Sequence, residues 1–497
     1  MKYLLSAGLL SAAAIAGATT PASEVLTEVN QGKLPTSDCG IIRRFSARSE
    51  TLDANFTVDI WLPDNYNSAS EERYPVVYMH DGQNLFDPTL SYAGAAWEVE
   101  QTLGMLIENE WIEAPIVVGI HNRGTLRPSD YIPEKPAMEY ISEADREASG
   151  MWKVVNNKFY GDEYMRFIAM ELKPAVDRMF ATRTGATDTF IMGSSMGGLA
   201  SIYAMCEYPD VFGGAACLST HWIGNFEQDS YLYPSAMLAY LEDHLPSADT
   251  HRIYLDRGTV DLDSYYESWE ERARDLVRAK GYSEAADNLY VFTDNGASHT
   301  EVYWAQRVDR PLHFLLKSSD RPYTPFSPGV QEFHVIYQDE AHSWAQPRAF
   351  AWAPGVVHLG NWPGTPMTPV IYGGRPAWEI RFSHVIAPTQ IIFDSGKSGS
   401  SQQTSDLEFR NNSVYGFSGI AGLIDDESGV ATSNVADGVS VAVKGGRLVI
   451  NSVENKEIMI YSSGGRSLRL LIHEGVNEIQ GLSPGVYIVE GQKVIIP

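Results

Sequence analysis

Between Thr189 and Ala200 an apolar, strand-like run, Phe190-Ile191-Met192, passes directly into Gly193-Ser194-Ser195-Met196-Gly197-Gly198 and then into a helical pattern carrying Leu199, Ile202, Tyr203 and Met205. A strand that becomes a helix within a residue or two leaves no space for side chains beside the turn, because a Cβ there would strike the neighbouring helix or strand. Glycine at 193 and 197 meets that demand, and the serine between them is lifted clear of the sheet. Gly-x-Ser-x-Gly by itself also occurs in ordinary small-residue turns. The preceding strand, the doubled glycine and the following helix make this stretch a nucleophile elbow with Ser195 as the nucleophile, and such elbows belong to parallel sheets flanked by helices.

A serine nucleophile needs a base and an acid, which on such a sheet follow it in the order serine, aspartate or glutamate, histidine. His299 sits between the strand-like Leu289–Phe292 and a helix carrying Val302, Trp304 and Ala305, in a loop at the carboxyl end of a strand, where ligands meet parallel sheets. His80 and His221 also follow apolar runs, but only His299 lies late enough to come after a credible acid. The acid is sought in the loop after Arg252-Ile253-Tyr254-Leu255, where Asp256, Asp261 and Asp263 compete. Ser264-Tyr265-Tyr266-Glu267 reads as a capping box opening a helix with Trp269, Ala273, Leu276 and Val277 inward and Gly281 as its stop. With Ser264 on the cap, Asp263 falls at the end of the loop, able to face His299, and it is the favoured acid of the three.

These runs together resemble the esterase-D-like branch of the α/β hydrolases, which includes carbohydrate esterase family one and the enterochelin esterases. The likeness covers about residues 41–320. It rests on Tyr78-Met79-His80-Asp81-Gly82-Gln83-Asn84-Leu85-Phe86-Asp87, Gly193–Gly198, Asp256-Arg257-Gly258-Thr259 with Leu262-Asp263, and His299-Thr300-Glu301 with Trp304. It implies an α/β hydrolase fold, a mostly parallel sheet with helices on both faces, and a serine esterase. It also implies an oxyanion hole made of two backbone N–H groups, that of Met196 directly after the nucleophile and that of Gln83 in the loop after Tyr74–Met79. Where many hydrolases carry a glycine-rich run, this loop reads His-Asp-Gly-Gln-Asn.

Residues 1–18 read as a signal peptide: Lys2, a short apolar stretch Tyr3–Ile15, and Ala16-Gly17-Ala18 as a cleavage site. A secreted or cell-surface location is therefore expected. Cys39, Cys206 and Cys217 are too few for a disulfide framework and are read as packing residues. No Cys/His spacing suggests zinc, and the chemistry calls for neither metal nor cofactor. With 37 Lys and Arg against 63 Asp and Glu, the formal charge of −26 argues against phosphate-rich partners, nucleic acid included.

A chain of 497 residues exceeds one ordinary core and should divide. Strand-like runs alternate with helices through Phe56–Leu62, Pro75–Met79, Ile116–Ile120, the helix Tyr164–Met179, the elbow, Gly213–Leu218, Arg252–Leu255 and Leu289–Phe292. The esterase domain is set at 19–320. The charged Pro133–Asn157 segment breaks the alternation and is expected as an insertion near the site, either a lid with Tyr140 or Trp152 toward substrate or a disordered loop.

A proline-rich linker, 321–329, leads into two all-β sandwich domains. Residues 330–417 resemble starch-binding carbohydrate modules, family 26 above all, through Trp344, Ala349-Phe350-Ala351-Trp352, Asn361-Trp362-Pro363-Gly364-Thr365-Pro366-Met367, Trp378 and Gln390-Ile391-Ile392-Phe393-Asp394-Ser395-Gly396. The likeness implies sugar stacking on exposed rings, with Trp352 and Trp362 the candidates; either could instead fill the sandwich core. After a linker at 418–438, alternating strand-like runs carry Ile458-Met459-Ile460-Tyr461, Gly464-Gly465-Arg466 and Leu482-Ser483-Pro484-Gly485-Val486-Tyr487-Ile488-Val489, and through them residues 439–497 resemble the carboxyl-terminal sorting domain of type IX secretion cargo, which implies the secretion machinery as a partner. The expected whole is a secreted serine esterase acting on acetyl- or feruloyl-type esters of carbohydrate, held on a starch-like polysaccharide by its middle domain. The alternatives are a siderophore or other small-molecule esterase and a catalytically idle glycan-binding surface protein.

Overall fold

The computed structural model describes residues 25–496 apart from 225–230, 319–320, 329, 340, 343, 373–374, 398–401, 425–438, 445–446, 453, 463–466, 480–481, 483–484 and 490–491. The expected signal peptide and most of the expected 418–438 linker lie outside the described residues.

The first domain is built on nine strands: β1 (Leu26–Glu28), β2 (Ile41–Ser49), β3 (Ala54–Leu62), β4 (Val76–His80), β5 (Ile116–Ile120), β6 (Thr189–Ser194), β7 (Gly214–Leu218), β8 (Arg252–Arg257) and β9 (Leu289–Thr293). Their order is β1-β2-β3-β5-β4-β6-β7-β8-β9. From β5 across to β9 all neighbours are parallel, while β1, β2 and β3 form an antiparallel flank. Every residue of β4, β5, β6 and β7 is buried, as expected of strands covered by helices on both faces. Two apolar clusters fill those layers, one around Phe56, Ile191, Leu199, Trp222 and Trp269, the other around Met79, Trp97, Met192, Trp304 and Leu312. The fold is the expected α/β hydrolase, and β6 sits centrally with Ser195 at its carboxyl end.

Three local expectations are corrected. The helix read as Tyr164–Met179 runs from Gly161 to Met179 but contains a π-helical stretch, Phe167–Leu172, just before Pro174, whose missing N–H and bulky ring unsettle the preceding turn. Pro133–Asn157 is a chain of short helices, Glu134–Tyr140, Glu143–Ala148 and Met151–Val154. Its aromatics are committed to packing. Tyr140 donates to Asp243 at 2.7 Å and lies edge-on to Tyr240, and Trp152 donates to Glu147 at 3.0 Å and packs on Phe159. The third correction concerns the stretch 321–329, which is no free tether. Tyr323 and the Phe326 amide both donate to buried Asp309, and Tyr323 packs edge-on to Trp111.

The middle domain is a two-sheet sandwich. One sheet carries Gln331–Tyr337, Thr368–Tyr372, Arg375–His384, Ser413–Gly416 and Gly419–Leu423, so it extends past the expected boundary at 417. The other carries Arg348–Ala353, Val356–Val357, Gln390–Asp394 and Leu407–Glu408. Val335, Tyr337, Ala349, Ala351, Ile391, Phe393 and Tyr415 form its core. It docks on the first domain: Ala353, Val356 and Ile386 cluster with Ala297 and Tyr303, and the Tyr303 hydroxyl lies 3.0 Å from His384 Nε2. The last domain has two sheets, with Val439, Val441, Leu448, Ile450, Ile458 and Ile460 inside, and touches the first through Tyr461 on Trp111.

Candidate active site

Ser195 stands at φ 59°, ψ −124°, a conformation side chains rarely adopt, which costs about 1–3 kcal/mol and marks the tight strand-to-helix turn. The elbow is close-packed around its glycines. A Cβ on Gly193 would lie 3.0 Å from the Gly197 backbone, one on Gly197 3.2 Å from the His80 Cβ, and one on Gly198 2.8 Å from Thr220 Oγ1. The turn is pinned from both sides, since the Ser195 amide donates to the Leu218 carbonyl at 2.9 Å and the His221 amide to the Ser195 carbonyl at 3.1 Å.

The loops after β8 and β9 are locked together above that edge. Thr259 and Val260 both donate their amides to the Ala297 carbonyl, and a Cβ on Gly258 would sit 2.2 Å from that same oxygen. This close crossing brings His299 onto Asp263: His299 Nδ1 donates to Asp263 Oδ1 at 2.5 Å. The other carboxylate oxygen accepts from the Gly258 amide and from the Ser219 hydroxyl, each at 2.6 Å. Asp263 is fully buried, and burial pushes its carboxyl pKa up; the His299 and Ser219 hydrogen bonds outweigh that and hold it below the ordinary value.

Of the three competing aspartates, the structure therefore brings Asp263 to His299. Asp256 is taken by the buried guanidinium of Arg307, which donates to both its oxygens at 3.0 Å, and by the Tyr254 hydroxyl at 2.8 Å. Asp261 accepts from Ser298 at 2.5 Å. The reason given by the sequence for Asp263 does not hold, however. Ser264 caps no helix: it lies inside a 3-10 turn, Asp261–Tyr265, donates to the Asp261 carbonyl, and the helix begins at Glu267.

Ser219 and Arg307 were not singled out by sequence, and Trp304 entered only through the family resemblance, yet the three together hold Asp263. The Ser219 hydroxyl accepts from Trp304 Nε1 at 3.0 Å and Arg307 Nη2 at 2.8 Å, so its own proton is directed to Asp263. The Trp304 indole also meets the His299 ring edge to face.

The rival histidines have other partners. His80 is buried against Tyr131 and Tyr164, its Nδ1 3.1 Å from the Tyr164 hydroxyl, and burial pushes its pKa down to about 4. His221 lies beside the elbow with Nδ1 2.5 Å from the Tyr266 hydroxyl.

Gln83 follows Gly82, where a Cβ would lie 2.5 Å from the Gly119 backbone, and Asp81 at φ 55° turns the chain into a short 3-10 segment. Arg127 anchors the turn through a two-pronged contact with the Asp81 carboxylate at 2.9 and 2.7 Å. Asn84 ties the same loop to the histidine loop by donating to Glu301 at 3.1 Å. Among the described residues, neither the Met196 nor the Gln83 amide donates to a protein acceptor.

Residues 49–346 match the Esterase family. The chain belongs to that family. Two curated relatives of this esterase illustrate its reach. The Bacillus subtilis protein YbbA, described as uncharacterised, is 22% identical over 274 residues, 54% of this chain and 95% of that protein. An endo-1,4-beta-xylanase/feruloyl esterase of Xylanibacter ruminicola is 24% identical over 183 residues, 36% of this chain but only 22% of that protein. Among solved structures, a ferulic acid esterase aligns at a TM-score of 0.42 and 16% identity, covering 56% of this chain and 98% of its own. The enterobactin esterase FES from Shigella flexneri aligns at a TM-score of 0.38 and 19% identity, covering 58% and 64% respectively.

Proposed function

We propose that this esterase is a serine carboxylic-ester hydrolase whose triad is Ser195, His299 and Asp263 and whose natural ester lies on carbohydrate. The observation that carries the triad is the Asp263–His299 contact, built by the Gly258–Ala297 crossing at the same edge of the sheet as the strained Ser195. Asp263 holds the imidazole with its proton on Nδ1, leaving Nε2 to take the proton from Ser195 Oγ as that oxygen bonds to the ester carbonyl carbon. The amides of Met196 and Gln83, unsatisfied by protein, receive the oxyanion. His299 then returns its proton to the departing alcohol, and water, activated in the same way, releases the acid from Ser195.

The carbohydrate assignment is supported by the middle domain. Phe350, Trp352 and Trp362 cluster on the side of the Arg348–Ala353 strand away from the sandwich core, with Phe350 5.5 Å from each tryptophan ring and Trp362 49% exposed. Flat, partly exposed rings suit the C–H-rich faces of sugars. Phe350 joins the two tryptophans as a third candidate. The name of the Xylanibacter relative points the same way. In this reading the signal peptide and the 439–497 domain serve export to the cell surface. Release of acetate from acetylated xylan, of ferulate from feruloylated arabinoxylan, and of acid from starch-derived esters, compared side by side, tests the substrate class. Hydrolysis of small aryl esters with none of the polysaccharide esters would remove the carbohydrate assignment.

A further inference from the structure

Asn84 is buried beside Gln83, and each of its polar groups is engaged. Its backbone amide donates to the Asp81 carbonyl and its own carbonyl accepts from the Trp97 amide, both at 2.9 Å. In the side chain, Oδ1 accepts from the Tyr92 amide at 3.2 Å and Nδ2 donates to Glu301 Oε1 at 3.1 Å. A backbone N–H requires an acceptor and a carboxylate requires a donor, so these two partners fix which way the amide faces. Only a side chain with one of each satisfies both.

The Glu301 contact closes a gap that the sheet leaves open. Gln83 and Asn84 follow β4, whereas His299 and Glu301 follow β9, and β6, β7 and β8 lie between those strands, with Ser195 at the end of β6. Neighbouring strands are about 4.8 Å apart, which puts β4 and β9 roughly 19 Å from each other. The chain after His299 must therefore come back across the carboxyl edge to meet Asn84. The helix Glu301–Ala305 makes a second contact on the same course, since the Trp304 ring lies 5.5 Å from that of Trp97 and 5.0 Å from that of His299. Asn84 thus holds Trp97 by its carbonyl and Glu301 by its side chain, and both lead to His299. On the opposite side the Gln83 loop is tied to the loop after β5: Gln83 Oε1 accepts from the Asn122 amide at 3.2 Å, and Asp81 Oδ1 accepts from Asn122 Nδ2 at 2.7 Å.

We propose that Asn84 is a positioning residue that sets the distance between the oxyanion donor, the Gln83 amide, and the base, His299, through its bond to Glu301. This rests on the reading of Ser195 as nucleophile, with His299 as its base and Gln83 as oxyanion donor. Acylation and deacylation each need the amide on the oxygen and the imidazole on the proton at the same moment, so a shift between the two loops slows both steps. The ester binds before either is needed, and KM stays in place.

The test reverses the direction of the bond. Asn84→Asp still accepts from Tyr92 but turns a carboxylate towards Glu301. Glu301→Gln keeps an oxygen for Asn84 Nδ2, and the two changes together restore one donor and one acceptor, with the donor now on position 301. The full-length variants, and Asn84→Ala, are assayed for kcat and KM on an aryl acetate and for thermal melting. Asn84→Asp and Asn84→Ala should each lower kcat by about 10²-fold, the cost of a displacement on the order of 1 Å, with KM within about threefold. Glu301→Gln should cost kcat only about threefold, and the double change should win back about tenfold or more of the Asn84→Asp loss. If Asn84→Ala does not fold, Asn84→Asp and its reversal decide. Asn84 variants within about threefold of wild-type kcat overturn the proposal, as do a loss seen in KM alone and a double variant no faster than Asn84→Asp. A wild-type protein that turns over no aryl acetate refutes the serine-hydrolase reading and this proposal with it; an active wild type with equally active Asn84 variants refutes the proposal alone.

Discussion

Replacing each of three neighbouring aspartates by asparagine should give three different outcomes, because each carboxylate has a different partner. In Asp263→Asn the amide must place its single oxygen where Oδ2 now accepts from Gly258 N–H and Ser219 Oγ–H, both at 2.6 Å. Its NH2 group then faces His299 Nδ1 and makes that nitrogen an acceptor. The imidazole proton moves to Nε2, and the ring loses the lone pair that takes the serine proton. The expected loss in kcat is roughly 10⁴-fold, about 5 kcal/mol of transition-state stabilisation, with the fold kept. Asp256→Asn instead strands the Arg307 guanidinium, whose side chain is 1% exposed, and should lower stability by about 3–5 kcal/mol with a much smaller change in the kcat of the protein that remains folded. Asp261→Asn keeps an acceptor for Ser298 and should cost only a few-fold in kcat. The assay is aryl-acetate turnover and thermal melting on all three variants. An Asp263→Asn enzyme with more than a tenth of wild-type kcat, or a larger catalytic loss at Asp261 than at Asp263, would refute the assignment.

Four further outcomes follow from the geometry. Gly258→Ala drives a Cβ to 2.2 Å from the Ala297 carbonyl and 2.8 Å from Asp263 Oδ2, so the two loops must part; kcat should fall by about 10² or more, with a stability loss of about 1–3 kcal/mol by melting. His80, held neutral with a pKa of about 4, binds its proton in the unfolded chain first. Its contribution is complete above about pH 6.5 and is lost as pH falls towards 4, on the order of 3 kcal/mol in all, and His80→Asn should flatten that part of the stability–pH curve measured by denaturant. A chain ended at residue 329 exposes Ala297, Val302 and Tyr303 and should melt lower, by about 2 kcal/mol or more, and turn over small esters more slowly; equal melting and equal kcat would show the docked sandwich to be a passive neighbour. Trp362→Ala should remove retardation of the protein in amylose-containing gels while aryl-acetate kcat stays unchanged; undiminished retardation would dismiss Trp362 as a sugar platform.

Much of the first domain was legible because its central strands are short apolar runs bounded by loops, the pattern that both-face burial imposes. The flank was not. In β2 only Phe45, Ala47 and Ser49 are fully buried, while Ile41 is 60% exposed and three arginines interrupt the run, so no apolar stretch stands out. The turn at Ser264 was misread because Ser-x-x-Glu describes a cap only if the chain is already extended at the serine, and here a 3-10 turn continues through it. Trp304, Arg307 and Ser219 lie up to 88 positions apart, and such contacts have no local periodicity to reveal them. The docking of the middle domain beside His299 was hidden for the same reason, since the proline-rich stretch 321–329 has the composition of a spacer while Tyr323 and Phe326 bind it to Asp309.

The central claim, that Ser195 carries the acyl group through an intermediate, is tested most directly by catching that intermediate. Wild-type protein mixed with an aryl acetate should show a burst of phenol close to one per active site. Acid quenching within the burst, followed by peptide mass spectrometry, should find one acetyl group on the peptide spanning the elbow, on Ser195 and not on Ser194. Ser195→Ala should show neither burst nor acetyl group and should lose on the order of 10⁶ in kcat with unchanged melting. An acetyl group on another residue, or a Ser195→Ala protein that keeps even a tenth of the activity, would contradict the account.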